Sequence, residues 1–97
     1  MRLRAFEVEA IKTAAHQTFG EDVVVRLFGS RVYDHLKGGD IDLHFETDNP
    51  VTDRDVARFE GVLFSTLDEQ RVDKIFTVRG AELSPFERIC YRDGVPL

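Results

Sequence analysis

At 97 residues the chain has the size of one small domain, which buries a smaller share of its surface than a larger domain does. Its hydrophobic content of 42% and charged content of 32% are those of a globular protein and argue against a disordered or fibrous chain. Thirteen Lys and Arg against eighteen Asp and Glu give a net charge of −5, which argues against direct nucleic-acid binding through a basic surface.

The start of the chain and its cysteine content bear on its compartment. No apolar run approaches the roughly 20 residues of a membrane-spanning helix, so no membrane association is expected. Residues 1–4 are followed by Glu7 and Glu9 instead of an apolar core, unlike a secretory signal. Cys90 is the one cysteine, which excludes an internal disulfide and a zinc site built from cysteines. We therefore expect a cytoplasmic protein.

The first half of the chain predicts a helix, a strand, a short helical turn and a second strand. Residues 3–19 carry apolar side chains on one helical stripe, and Gly20 follows where a left-handed C-cap is common. Residues 23–28 are rich in β-branched side chains and apolar on both faces, as in an interior strand. A helical turn opens at 29–30. Residues 40–46 then alternate polar and apolar side chains, which predicts a half-buried strand.

The second half predicts a helix, a strand and a last helix. Thr52 begins a capping box followed by an apolar stripe at helical spacing, and residues 71–78 have the composition of a third strand. Ser84 is followed by proline and, three residues on, by glutamate, so a short helix begins there and stops near Gly94. Three strands interleaved with helices predict a small α/β domain, with a three-stranded mixed sheet flanked by helices.

Two carboxylates on the second predicted strand are the first candidate for chemistry. Asp40 and Asp42 project from one face, about 6–7 Å apart along a strand that rises roughly 3.3 Å per residue. Carboxylates so placed repel each other, and a hard cation such as Mg²⁺ between them removes that cost. The alternative is an acidic, solvent-facing strand edge, since alternation places polar side chains outside by default.

The Gly29-Ser30 pair is the second candidate. It ends an apolar strand and begins a helical turn, where backbone N–H groups and the helix dipole favour phosphate. Glycine permits close backbone approach, and the Ser30 hydroxyl can donate a hydrogen bond to a phosphate oxygen. The alternative is an ordinary N-cap serine after a turn glycine.

Together the two candidates form one motif: Leu-Phe-Gly-Ser-Arg at 27–31 and Asp-Ile-Asp-Leu at 40–43, with nine residues between Ser30 and Asp40. This resembles the signature of the DNA polymerase β-type nucleotidyltransferases, which is a hydrophobic residue, Gly-Ser, about ten residues and Asp-x-Asp. On average composition such a spacing arises by chance in on the order of one in a hundred chains of this length. The resemblance to the minimal members of this superfamily covers nearly the whole chain, as one nucleotidyltransferase domain over residues 1–97.

The resemblance implies a palm-like α+β fold and a third carboxylate on a neighbouring strand, for which Asp73 is the candidate. Asp40, Asp42 and Asp73 are then the catalytic carboxylates and the ligands of one or two Mg²⁺ ions. Asp73 serves either as a metal ligand or as the base near the acceptor hydroxyl. Its alternative is a polar residue at the start of a strand.

Nucleotide binding is expected on the segment between the two halves of the motif. The resemblance implies that Gly29 and Ser30 hold the phosphates of ATP. Arg31 is a candidate to steady a phosphate, with a solvated arginine as its alternative. Lys37, just before the glycines at 38–39, is a candidate to close over the triphosphate.

Minimal members of the superfamily resemble the antitoxin half of toxin–antitoxin modules whose toxin is a helical HEPN ribonuclease. The resemblance implies transfer of AMP from ATP to a tyrosine of that toxin, within a hetero-oligomer. Two alternatives stay open. One is a nucleotidyltransferase with a small-molecule or nucleic-acid acceptor, and the other is a non-catalytic antitoxin that acts by binding alone. The intact Gly-Ser and Asp-x-Asp residues favour retained catalysis.

The remaining chemistry-bearing side chains are interpreted as structural. His44 shares a strand face with the aspartates and is interpreted as a partly exposed strand histidine, and His16 as a helix-surface residue. Cys90 is interpreted as a small buried hydrophobe. Tyr33 and Tyr91 are possible nucleotide acceptors that no second feature singles out.

Overall fold

The computed structural model of the protein describes residues 3–32 and 40–97, with the side chain of Ser30 left out. The elements follow one another along the chain as helix α1 Ala5–Phe19, strand β1 Val24–Phe28, a 3₁₀ turn Gly29–Val32, strand β2 Ile41–Thr47, helix α2 Asp53–Leu63, strand β3 Val72–Val78, helix α3 Pro85–Asp93 and strand β4 Val95–Pro96. Within the described ranges no helix has the length and apolar character needed to cross a membrane. The predictions made for Tyr33, Lys37 and the Ser30 hydroxyl lie outside the described part.

Among the described residues the sheet has four strands, in the order β3-β2-β1-β4. Strands β1 and β2 are antiparallel, β2 and β3 are parallel, and β4 is antiparallel to β1. The predicted α/β class and mixed sheet are confirmed, but the prediction of three strands was wrong. Val95 and Pro96 pair with Leu27 and Arg26, and two residues are too few to carry a strand periodicity.

One face of the sheet packs against α1 and α2 and forms the core. Four phenylalanine rings, one each from α1, β2, α2 and β3, meet with centroids 5.0–5.6 Å apart in edge-to-face and stacked arrangements: Phe19, Phe45, Phe59 and Phe76. Leu27 and Leu43 are fully buried beside them. Each such side chain contributes about 1.5–3 kcal/mol on burial, so this face holds the two layers together.

The predicted helix starts are confirmed at atomic detail. The Asp55 amide donates to Thr52 Oγ1 at 3.1 Å, and the Glu87 amide donates to Ser84 Oγ at 3.2 Å. Gly20 ends α1 with a positive φ of 99°, as a glycine can, but its ψ of 167° is extended, so the predicted left-handed C-cap was wrong.

Candidate functional site

The second face of the sheet, away from α1 and α2, carries polar side chains at one end of its central strands. Asp42 of β2 is the register partner of Asp73 on β3 and of Phe28 on β1. Because register partners on adjacent strands project to the same face, these side chains lie side by side. The structure thus brings Asp73 to Asp42, as the sequence predicted, and Asp40 directly precedes the same strand.

Asp42 is in an environment that disfavours its ionised form. Its pKa is raised first by burial, and then by the charge of Asp73, a side-chain hydrogen bond with Asp73 and the charge of Asp40, while the charge of Arg71 opposes the rise. The carboxylates at this edge therefore repel each other enough to favour retention of a proton or capture of a cation.

Arg71, which precedes β3, is the cation that the structure places at these carboxylates. Its Nε lies 3.2 Å from Asp73 Oδ1 and 3.4 Å from Asp40 Oδ2. The side chain is 73% exposed, so water screens both ion pairs and the guanidinium is easily displaced. The sequence analysis missed Arg71, although the spacing of 71 and 73 in an extended segment places both side chains on one face.

Gly29 lies against Asp42. Its φ is 79°, which side-chain-bearing residues rarely adopt, and a Cβ on Gly29 would overlap Asp42 Oδ2. The glycine is required both by its backbone conformation and by the carboxylate beside it. Gly29 of the Gly-Ser turn and Asp42 of the Asp-x-Asp pair thus lie side by side. Arg31, in the same turn, is half-buried.

The carboxylate oxygens at this edge suit a cation that is also held by the phosphates of a ligand, better than a cation that is surrounded by protein ligands alone. Across residues 3–32 and 40–97, no three His, Cys, Asp or Glu side chains are grouped to hold a metal ion. Asp42 and Asp73 nevertheless supply two adjacent carboxylates, and Asp40 faces Arg71. Mg²⁺ is commonly held by one or two carboxylates together with substrate phosphates, which these residues can satisfy.

His44 is fully buried, so its interpretation as a partly exposed histidine was wrong. Helix α3 covers it, with the Tyr91 ring at a centroid distance of 4.8 Å. His44 Nε2 shares a 2.8 Å hydrogen bond with Thr77 Oγ1, which in turn lies 3.1 Å from the Tyr91 hydroxyl. Burial, aided by the charge of Arg26, lowers the pKa of His44 and keeps the ring neutral.

The remaining residues keep structural roles. Tyr91 is half-buried and its hydroxyl is hydrogen-bonded to Thr77, so it is not exposed as an acceptor for a nucleotide. Cys90 is buried as expected, and burial raises the pKa of its thiol above the ordinary value, which makes it a poor nucleophile. His16 is partly exposed on α1.

Comparison of the chain with protein-family models and with curated proteins gave no match.

Proposed function

We propose that the chain is a Mg²⁺-dependent nucleotidyltransferase of the DNA polymerase β type, which transfers AMP from ATP to a tyrosine of a partner HEPN ribonuclease. The observation that supports this most is the register of Asp42 with Asp73, beside a positive-φ glycine whose Cα lies close to the Asp42 carboxylate. The α+β domain with a mixed sheet belongs to the class of fold that the sequence motif implies.

In this proposal each residue at the edge of the sheet has a distinct role. Asp42 and Asp73 hold Mg²⁺ together with the phosphate oxygens of ATP, and Asp40, now paired with Arg71, is the third candidate ligand. Mg²⁺, when bound, neutralises the phosphates and orients the reacting oxygen. Gly29 lets the backbone of the turn approach the phosphates, because it has no side chain to exclude them.

The transfer itself needs little covalent participation from the protein. The acceptor oxygen forms a bond to the α-phosphorus, the bond from that phosphorus to the bridging oxygen breaks, and pyrophosphate leaves. The proton of the acceptor hydroxyl passes to solvent water, which reaches this edge of the sheet because 44% of the Asp73 side chain is exposed.

The experiment that tests the proposal is label transfer from ATP labelled at the α-phosphate, with Mg²⁺, with and without a HEPN-type ribonuclease encoded beside the chain. The double substitution Asp40→Asn and Asp42→Asn should abolish transfer. The matched control is Asp68→Asn with Glu69→Gln, which also removes two exposed carboxylates but lies in the loop after α2.

The outcomes separate the three functions. Label on the ribonuclease with wild type and control, but not with the Asp40/Asp42 variant, supports the proposal. Transfer to a small molecule or nucleic acid without the ribonuclease would mean a different acceptor. A stable complex with no label, formed equally by the double variant, would mean that the chain acts by binding alone.

A further inference from the structure

Helix α3 presents an apolar surface beside the carboxylates. Among the described residues the exposed large hydrophobic side chains are Phe6, Phe86 and Ile89, and the last two lie one turn apart on α3 at 46% and 48% exposure. The Phe86 ring meets the Phe28 ring edge to face, with centroids 6.0 Å apart and planes at 87°. Phe28 and Phe86 therefore form an apolar surface at this end of the sheet, and Ile89 is exposed one turn further along α3.

This surface and the acidic edge are adjacent. Phe28 is the register partner of Asp42, and opposite residues on antiparallel strands have Cα atoms about 4.5–5.5 Å apart with side chains on the same face. The Phe28 ring centroid lies 6.0 Å from that of Phe86, so Phe28 contacts Phe86 and is also the cross-strand neighbour of Asp42.

Helix α3 is attached to the sheet by residues other than Phe86 as well. The helix is attached to the sheet through Cys90, which is buried, and through Tyr91, which packs on His44 and under the Arg26 guanidinium. Its first turn is fixed by the Ser84 cap. Nearly half of Phe86 stays exposed, next to a site for which a phosphate ligand is proposed.

We propose that Phe86, supported edge-on by Phe28, is the platform on which the base of the nucleotide stacks. The inference rests on the proposed function, since it assumes that the triphosphate lies at Asp42 and Asp73. Stacking on an aromatic ring accepts any base, because every base has a π face. The site therefore favours nucleotides over inorganic polyphosphate but discriminates weakly among bases.

The test compares two ligands, ATP and inorganic tripolyphosphate, each with Mg²⁺ and each titrated by calorimetry. Phe86→Ala should weaken ATP binding roughly five- to tenfold and leave tripolyphosphate binding unchanged. The matched control is Phe6→Ala, which removes an equally exposed ring from α1, on the other side of the sheet, and should change neither affinity.

A second variant gives an independent readout. The chain has no tryptophan, so Phe86→Trp introduces a single tryptophan at the platform, to be read by its own emission. Its emission should change on saturation with Mg²⁺ and ATP, and not with Mg²⁺ and tripolyphosphate, because only ATP carries a base. An emission change that is the same for both ligands, or absent for both, overturns the platform.

The two proposals fail in different ways. Binding of neither ligand to the wild-type chain overturns the proposed function, and the platform with it. The stacking role of Phe86 is overturned, and the phosphate site is not, if the wild-type chain binds both ligands with equal affinity. The same conclusion follows if Phe86→Ala and Phe6→Ala bind ATP equally well. The latter result would point to Phe86 as a contact for a protein partner.

Discussion

Gly29 combines two constraints that can be separated by experiment. Its positive φ alone costs an alanine roughly 1–2 kcal/mol, and the overlap of a Cβ with Asp42 Oδ2 adds displacement of the carboxylate. We expect Gly29→Ala to lower the free energy of unfolding, measured in urea, by more than the backbone term alone. It should also weaken Mn²⁺ binding, used as a probe for Mg²⁺, because Asp42 must move.

Gly80 provides the matched control for that prediction. Its φ is 84°, close to that of Gly29, but a Cβ there would meet no described atom within 4 Å. Gly80→Ala should therefore lose only the backbone term and keep its affinity for Mn²⁺. Equal losses of stability in the two variants, with unchanged Mn²⁺ binding in both, would show that Asp42 does not depend on the glycine.

Arg71 competes with a divalent cation for the same carboxylates. Because its guanidinium contacts Asp40 and Asp73 from an exposed position, removal of its charge should strengthen Mn²⁺ binding to the nucleotide-free protein by roughly two- to fivefold. The variant is Arg71→Gln, measured by calorimetry at low ionic strength. Arg92→Gln, which removes an exposed arginine paired with Asp93, is the control. Weaker binding in Arg71→Gln would mean that Arg71 orders the site.

At the scale of single residues, the motif selected Asp40, Asp42 and Gly29 as candidates, because the spacing of these residues along the chain is itself the sequence signal. Asp73 was found from the neighbouring predicted strand, and its register with Asp42 agrees with that choice. Arg71 was missed because a surface arginine has no distinguishing pattern. The burial of His44 was missed because it depends on the packing of α3 on that face, and α3 begins 41 residues later in the chain (85 − 44).

At the scale of elements, the end of β2 away from the aspartates is joined to its neighbours through Glu46. Its two oxygens accept from Arg26 Nη1 at 2.9 Å and from Arg79 Nε at 2.8 Å, and Arg26 lies 4.5 Å over the Tyr91 ring. Burial alone would raise the pKa of Glu46, but the hydrogen bonds from Arg26, Arg79 and Tyr91 and the charge of Arg26 outweigh it and lower that pKa. The carboxylate thus links β1, β2, the segment after β3 and α3.

Because the folded pKa of Glu46 lies below its unfolded value, the unfolded chain binds the proton more readily. Its contribution is therefore complete above the unfolded pKa of about 4.5 and is lost as the pH falls through the folded pKa. We expect Glu46→Gln to lower the free energy of unfolding by about 1–3 kcal/mol near pH 7. The variant should also show a flatter pH dependence of that free energy, measured in urea, below about pH 4.5. Glu60→Gln, which breaks a pair with Lys74 at a carboxylate 42% exposed, should cost less. Equal costs in the two variants would contradict the role assigned to Glu46.

The elements themselves were largely predictable where local chemistry decides them. The Thr52 and Ser84 caps set the starts of α2 and α3, and the alternation along β2 predicted that strand. Strand β4 was not predictable, because its pairing with β1 is a tertiary contact of two residues. Parallel pairing of β2 with β3 follows from the helix between them, since a crossover is needed to join parallel strands.

At the scale of the whole molecule, the sheet has one apolar face, which packs against α1 and α2, and a second face, which carries the candidate site at one end. The aspartates lie at the end of the polar face beside Phe28 and the edge of α3, on a chain whose net charge is already −5. Concentrated negative charge on one side of a small domain weakens the folded state in the absence of a cation. The carboxylates that would bind the metal are therefore expected to lower the stability of the protein when no metal is present.

Asp42→Asn tests that expectation in a single thermal-unfolding experiment. Without divalent cations the variant should unfold at a temperature about 2–5 °C above wild type, because the raised pKa of Asp42 reflects burial and repulsion that a neutral amide does not experience. With Mg²⁺ and ATP in large excess over their dissociation constants, wild type should gain roughly 10 °C and the variant little, since ligands stabilise only the state that binds them. Asp68→Asn, on the exposed turn after α2, should behave as wild type in both conditions. A variant that unfolds below wild type without cations, or that keeps the full gain with Mg²⁺ and ATP, would mean that Asp42 serves the fold and not the nucleotide.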